Sequence, residues 1–215
     1  MTTPTLAAFV ARASVPPEVS AVAGACCARL PVTDPRHDPD GFWVVCVLLR
    51  HGGDRVALTV AAAVGMEVAL RVHASLDGHL TEGWDPACPA VTLGVAAAVA
   101  RLDGLDAAAT ARALAIAATQ AGGLTEAVGT PLGDFQRRRA AENGRQAVDL
   151  ARAGMTTPDA PLEGRRGLYP VMAPTADPGA LVDGLGRRWL LAGRSTLNRE
   201  HSWDGATEYA RAVLP

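Results

Sequence analysis

From Arg55 onward, alanine, valine and leucine recur at helical spacing in run after run, and this pattern limits the possible folds more than any other feature. Apolar residues make up 49% of the chain and aromatics only 4%, so most of the apolar content is small and aliphatic. Alanine and leucine are strong helix formers, and small side chains let helices approach closely. The expected fold class is all-α, in a compact helical domain. A chain of 215 residues can be accommodated in one domain over 1–215. At that size it buries roughly 70% of the surface its unfolded form exposes, so the core needs no disulfide or metal staple.

The periodicity predicts helices over 55–76, 91–102, 106–121, 134–153 and 177–192. Thr5 to Leu30 reads as two further helices separated at Pro16-Pro17, because proline ends one helix and opens another. Phe42 to Leu49 is a continuous apolar run, and periodicity leaves strand and helix both open there. Asp103-Gly104 and Gly122-Gly123 have the composition of helix stops, and Asp106 that of a cap. Pro31–Gly41, Asp77–Pro89 and Pro158–Pro178 read as loops, which is where functional side chains tend to lie.

The formal net charge of −2 gives no global attraction to nucleic acid or anionic membrane. All 20 basic residues are arginine, so lysine chemistry is excluded and an anion must be held by arginine, histidine or backbone N–H groups. The four cysteines, at 26, 27, 46 and 88, form no CxxC pair, and reduced thiols in the cytoplasm are expected. No basic region followed by an apolar run opens the chain, so no signal peptide is expected. The apolar stretch from Val56 to Val72 is interrupted by Glu67 and Arg71 and reads as too short and too charged for a membrane span. Histidines 37, 51, 73, 79 and 201 lack ligand spacing, and no GxGxxG, P-loop or GxSxG motif occurs, so no metal or cofactor is expected.

Several segments, read in order, carry a more specific signal. Ala62 to Arg71 (AAVGMEVALR) resembles a "GYEVA.R" helix. Val91–Leu105 and Asp106–Gly123 are similar to "TLG..AAAAA..LGL" and "ALGIA.SQA.GL". Arg139 to Met155 resembles "GRAAQ.G..AA.LA..GFTGP", Leu162 to Gly167 resembles "LEG..GF", and Asp183–Trp189 resembles "GLG..W". Ala7–Val22 is similar to an opening helix. These are motifs of the MmgE/PrpD family, and the resemblance is most specific over 55–190. The family includes 2-methylcitrate dehydratase, cis-aconitate decarboxylase and iminodisuccinate epimerase. The resemblance therefore implies the family's helical domain, and chemistry that moves a proton beside a carboxylate on a small polycarboxylate. No counterpart of the family's second, α/β domain is expected within these residues.

The catalytic positions differ. The family's "DYDDTH" motif has no counterpart between Pro31 and Asp54, where His37 and Asp38 lie instead. Its "H.ERGFHPTATLG" loop corresponds to His79–Gly94. Counting forward from His79 puts Asp85 at the catalytic histidine; counting back from Thr92-Leu93-Gly94 puts Cys88 there. The family lysine before "LH.G.AA" falls near Gly133, and its companion histidine near Gln136.

The residues themselves offer three catalytic candidates. Asp85 is a base if desolvation beside Trp84 raises its pKa, or a turn residue before Pro86. His79 is an acid or base, or a solvated loop side chain. Cys88 is a nucleophile if a helix N-terminus stabilises its thiolate, or a buried inert thiol. Trp84, Arg137, Arg138, Arg165 and Tyr169 are the substrate-binding candidates, with the arginines as carboxylate forks or as solvated helix faces. Three successive helical arginines point three ways, so at most one or two of Arg137–Arg139 share a pocket. His201 and Asp204, with Trp203, form a candidate tail pair. The expected function is a lyase, isomerase or cyclase acting on a carboxylated or carbonyl substrate by proton transfer, with a rewritten site. The alternatives are a non-catalytic helical binding or assembly protein, or one subunit of a split enzyme. Partners are expected to be a small-molecule substrate and a second copy of the chain in a homodimer or other oligomer.

Overall fold

A computed structural model describes residues 1–28 and 39–193, with side chains over 1–27 and 41–193. The elements are α1 (Thr2–Arg12), α2 (Pro17–Ala28), α3 (Pro39–His51), α4 (Arg55–Leu76), α5 (Ala87–Leu102), α6 (Ala107–Thr119), α7 (Pro131–Arg152) and the short α8 (Leu168–Met172). Among the described residues there is no β-strand; one isolated antiparallel bridge joins Trp84 and Leu124. The candidates His37, Asp38, His201, Trp203 and Asp204 lie outside the described residues.

The centre of the molecule is α5. Every residue from Ala87 to Ala100 is buried, and α4, α7, α3, α6 and α1 all pack around it. Small residues make that possible. A Cβ on Gly65 would lie 2.5 Å from the Ala98 Cβ and 2.8 Å from the Gly94 carbonyl oxygen. A Cβ on Gly94 would lie 2.7 Å from Ala69 Cβ and 2.9 Å from the Gly65 oxygen. The two helices therefore meet backbone to backbone, with Val44 of α3 against both glycines. Gly144 does the same where α7 crosses α5: its Cβ would come within 2.4 Å of the Thr92 oxygen.

The apolar run left open at Phe42–Leu49 is helical, and it is buried on every side, which explains why it shows no amphipathic period. Helix α4 has the predicted bounds, started by Asp54, whose Oδ1 accepts from the Val56 and Ala57 N–H groups at 2.9 and 3.1 Å. By length and composition α4 would suffice to cross a membrane, contrary to the expectation that it is too short and too charged. In the fold it is a core helix. Asp106 caps α6 through Ala109 N–H at 2.7 Å, and Gly104 takes positive φ after α5, as expected. Gly122 and Gly123 adopt no positive φ and are not helix stops of that kind; α6 ends earlier, at Thr119.

The predicted helix over 177–192 does not form. The segment is made of turns with 3₁₀ pieces at Pro178–Leu181 and Leu190–Gly193, and Gly184 and Gly186 take positive φ. The cause lies on α4. Glu67 and Arg71 form a fully buried ion pair, Nε to Oε1, at 2.6 Å. Arg71 donates to the carbonyls of Leu181, Asp183 and Arg188, while Glu67 accepts the N–H groups of Leu190 and Leu191. Backbone groups that a helix would pair internally are satisfied by this pair instead. Removing one partner would strand a buried charge, a loss of about 3–5 kcal/mol. The "GMEVALR" and "DGLGRRW" segments are thus two halves of one clamp.

Glu163, in the "LEG" segment, fastens the start of α1 in the same manner. Its carboxylate accepts from the N–H groups of Thr2 and Thr3 and from Thr3 Oγ1 at 2.6 Å. Burial pushes the Glu163 pKa up, but these hydrogen bonds outweigh it and leave the carboxyl below its ordinary value. A lowered folded pKa means that the contribution is complete above the ordinary glutamate value of about 4.3 and is lost as pH falls through the folded value. Glu163→Gln is expected to cost about 1 kcal/mol at neutral pH in urea unfolding and to flatten this part of the acid limb; an unchanged acid limb would refute the assignment.

Candidate functional site

The loop from Asp77 to Pro86 delivers its polar residues to two different places. Thr81 N–H bonds to the Met172 carbonyl at 2.7 Å, and His79 Nδ1 lies 3.1 Å from Thr175 Oγ1, with the imidazole exposed. Past Gly83 the chain turns inward. Asp85 N–H bonds to Gly123 O at 2.9 Å, and Thr125 N–H to Gly83 O at 3.0 Å, so the loop is stitched to the segment after α6. This carries Asp85 under the surface, where it is only 3% exposed, at the start of α5.

Helix α5 starts four residues before its predicted first residue, so Cys88 and Pro89 lie within its first turn. Proline is accommodated there because its missing N–H would have no helical partner. Pro86 is the N-cap residue, and Asp85 Oδ1, one residue before it, accepts the Ala87 N–H at 3.0 Å and so pairs one of the helix's free N–H groups. Helix α7 likewise starts earlier than predicted, at Pro131, capped by Thr130 through Gly133 N–H at 3.3 Å, so Gln136 and Arg137 lie in its second turn and not its first.

Four side chains converge. Asp85 Oδ2 accepts from Gln136 Nε2 at 3.3 Å, Arg137 Nη2 at 3.4 Å and the Cys88 thiol at 3.8 Å. Arg137 is 7% exposed, and its buried Nε has no partner among the described residues. Cys88 is completely buried. Gln136 also grips Leu124, donating to its carbonyl at 3.0 Å and accepting its N–H at 3.2 Å. Gly123 closes the site from the side: a Cβ there would lie 2.3 Å from Cys88 Sγ. Half-buried Trp84 packs over Gly122, and exposed Leu124 is bridged to it.

Asp85, Cys88 and Arg137 are thus brought together, with Trp84 at the edge. The other predicted residues are elsewhere. Arg138 is half-buried over the Phe135 ring, 5.6 Å from its centroid, and Arg139 is exposed, so the three arginines diverge as helical geometry requires. Arg165 is exposed. Tyr169 is completely buried, with its hydroxyl 2.6 Å from Ser75 Oγ. Burial pushes its pKa up to about 12 against the opposing Ser75 hydrogen bond, so Tyr169 is a neutral core residue. Cys27 and Cys46 are buried thiols with pKa values raised chiefly by that burial, and both stay protonated. Among the described residues no cluster of His, Cys, Asp or Glu has the makings of a metal site. The two residues that sequence reasoning did not offer as site residues are Gln136 and Gly123. Gln136 was legible as the companion-histidine position, whereas nothing in the sequence marked Gly123 as a site wall.

The fold and site define an all-helical domain with a buried polar cluster at the start of its central helix. The family model for the MmgE/PrpD N-terminal domain matches residues 7–180, and the chain belongs to the MmgE/PrpD family, which is related to dehydratase- and lyase-type enzymes. No curated protein matches it in sequence.

Gly123 and Gly122 separate the site's packing from general loop tolerance. Gly123→Ala must displace Cys88 and is expected to lower stability by about 1–3 kcal/mol in denaturant unfolding. Gly122→Ala meets only the Trp84 ring, at 3.6 Å, and should change stability by less than about 0.5 kcal/mol. Equal effects at the two positions would contradict the close contact.

Proposed function

We propose that this protein is a lyase, isomerase or cyclase that acts on a carboxylated or carbonyl substrate by proton transfer at the Asp85–Cys88–Gln136–Arg137 cluster. The supporting observation is a convergence. The positions at which the family loop places its histidine, counted from either end, and the position of its companion histidine are in mutual contact through Asp85 Oδ2. The residues have changed, but they still gather at one point.

The geometry suits Asp85 to the role of base. Its Oδ1 is committed to Ala87 N–H, whereas Oδ2 holds three contacts, all longer than the 2.7–2.9 Å typical of strong charge-assisted bonds. A loosely held lone pair is available to take a proton from the carbon beside a substrate carbonyl. Asp85 becomes the carboxylic acid and the substrate the enolate, whose charge faces Arg137 and the Gln136 amide. Returning the proton from Asp85 to the far carbon of a conjugated enolate completes an isomerisation; expulsion of a hydroxyl at the next carbon, which takes that proton and leaves as water, completes an elimination.

A second reading is favoured by one feature of the same cluster. Each Asp85 oxygen already has a donor, so the carboxylate also satisfies a structural role, as in a non-catalytic binding or assembly protein. Deuterium exchange separates the two. Carboxylic acids and ketones incubated with the protein in D₂O should exchange their α-protons, followed by NMR, and Asp85→Asn should slow exchange by about 10²–10⁴-fold. Exchange that persists undiminished in Asp85→Asn, or is absent with wild type, would reject the enzyme reading.

A further inference from the structure

We infer that the cluster takes a substrate with a single carboxylate on an apolar body, and not a polycarboxylate; this rests on the cluster being the active site. The first argument is charge. Among the described residues Arg137 is the cation joined to Asp85, and the two are buried together. The pair is neutral before any ligand arrives. A tricarboxylate would bring three negative charges beside Asp85 with one guanidinium to meet them, and each uncompensated charge in a dry site is costly. Arg138 is directed to the Phe135 ring and Arg139 to solvent, so neighbouring arginines do not reinforce the site.

The second argument is the state of Arg137 itself. A buried guanidinium ordinarily has its N–H groups paired. Here Asp85 takes one prong of the fork, at 3.4 Å, and Nε has no partner among the described residues. A planar fork with an open donor and one long bond is suited to accept one carboxylate, the group whose two oxygens match it. The third argument is the surrounding surface. Leu124 is 56% exposed, and Trp84 is half-buried. Gln136 is bonded to Leu124 through both backbone groups, and Trp84 is bridged to Leu124, so this apolar rim is fastened directly to the polar cluster. A substrate reaching Arg137 past these side chains gains from carrying hydrocarbon there.

Binding by calorimetry tests this on the intact wild-type chain, with hexanoate, hexanedioate, citrate and 1-hexanol as probes. The expected order is hexanoate at least tenfold tighter than hexanedioate and citrate, with hexanol weaker than hexanoate. Arg137→Lys, which keeps the charge but loses the fork, should weaken hexanoate at least tenfold. Circular dichroism should confirm that the variant is folded, and the wild-type order stands without it. Citrate or hexanedioate binding more tightly than hexanoate, with Arg137→Lys weakening them, would overturn the single-carboxylate inference and leave the site intact. Hexanoate binding unchanged in folded Arg137→Lys, or no binding by any acid, would overturn both.

Discussion

The backbone contact between α4 and α5 at Gly65 and Gly94 is the constraint on which the rest of this structure depends. Each glycine stands where a Cβ would strike the other helix, and Val44 of α3 fills the remaining space. Helices this close exclude water and bury α5 on every side. With α5 fixed, the crossing of α7 at Gly144 fixes a second helix against it. The starts of α5 and α7 then lie side by side, and that is where Asp85 meets Gln136 and Arg137. The small side chains that make the sequence monotonous are therefore what positions this polar cluster.

Two groups of charged side chains set into this aliphatic matrix work as clamps. Glu67 with Arg71 holds the 181–191 segment to α4, and Glu163 holds the start of α1. Each holds at least two hydrogen bonds of 3.0 Å or shorter. The cluster at Asp85 is different: its contacts are long, and an arginine donor is left open. Low surrounding polarity strengthens any charge interaction there and raises the cost of the unpaired donor. That contrast within one molecule is the physical basis for reading the third cluster as a place for a ligand and the first two as fastenings.

Much of the architecture was legible in the sequence, because helical period and capping residues are local signals. The bounds of α4 were predicted to the residue, and Asp106 was readable as a cap. The failures came where tertiary contacts override local preference. The 177–192 pattern is helical by period, yet the buried pair on α4 claims its backbone groups. The run at Phe42–Leu49 concealed its helical period because no face meets water. At the site, family spacing pointed to Asp85, Cys88 and Gln136, and the three side chains are in contact, but which of them stands at a histidine position has no answer in a linear count: they occupy one point in space. His79, Arg165 and Tyr169 were selected for residue type, and type alone does not reveal that two of them face solvent and the third fills the core.

A double-mutant cycle in unfolding free energy between Asp85→Asn and Arg137→Met tests most directly whether the starts of α5 and α7 form one site. Contacting buried partners should show a coupling of about 1–3 kcal/mol, so that the double variant is less destabilised than the sum of the single ones. Additivity within about 0.5 kcal/mol would mean that the two side chains do not meet, and that the rewritten family positions do not make a site.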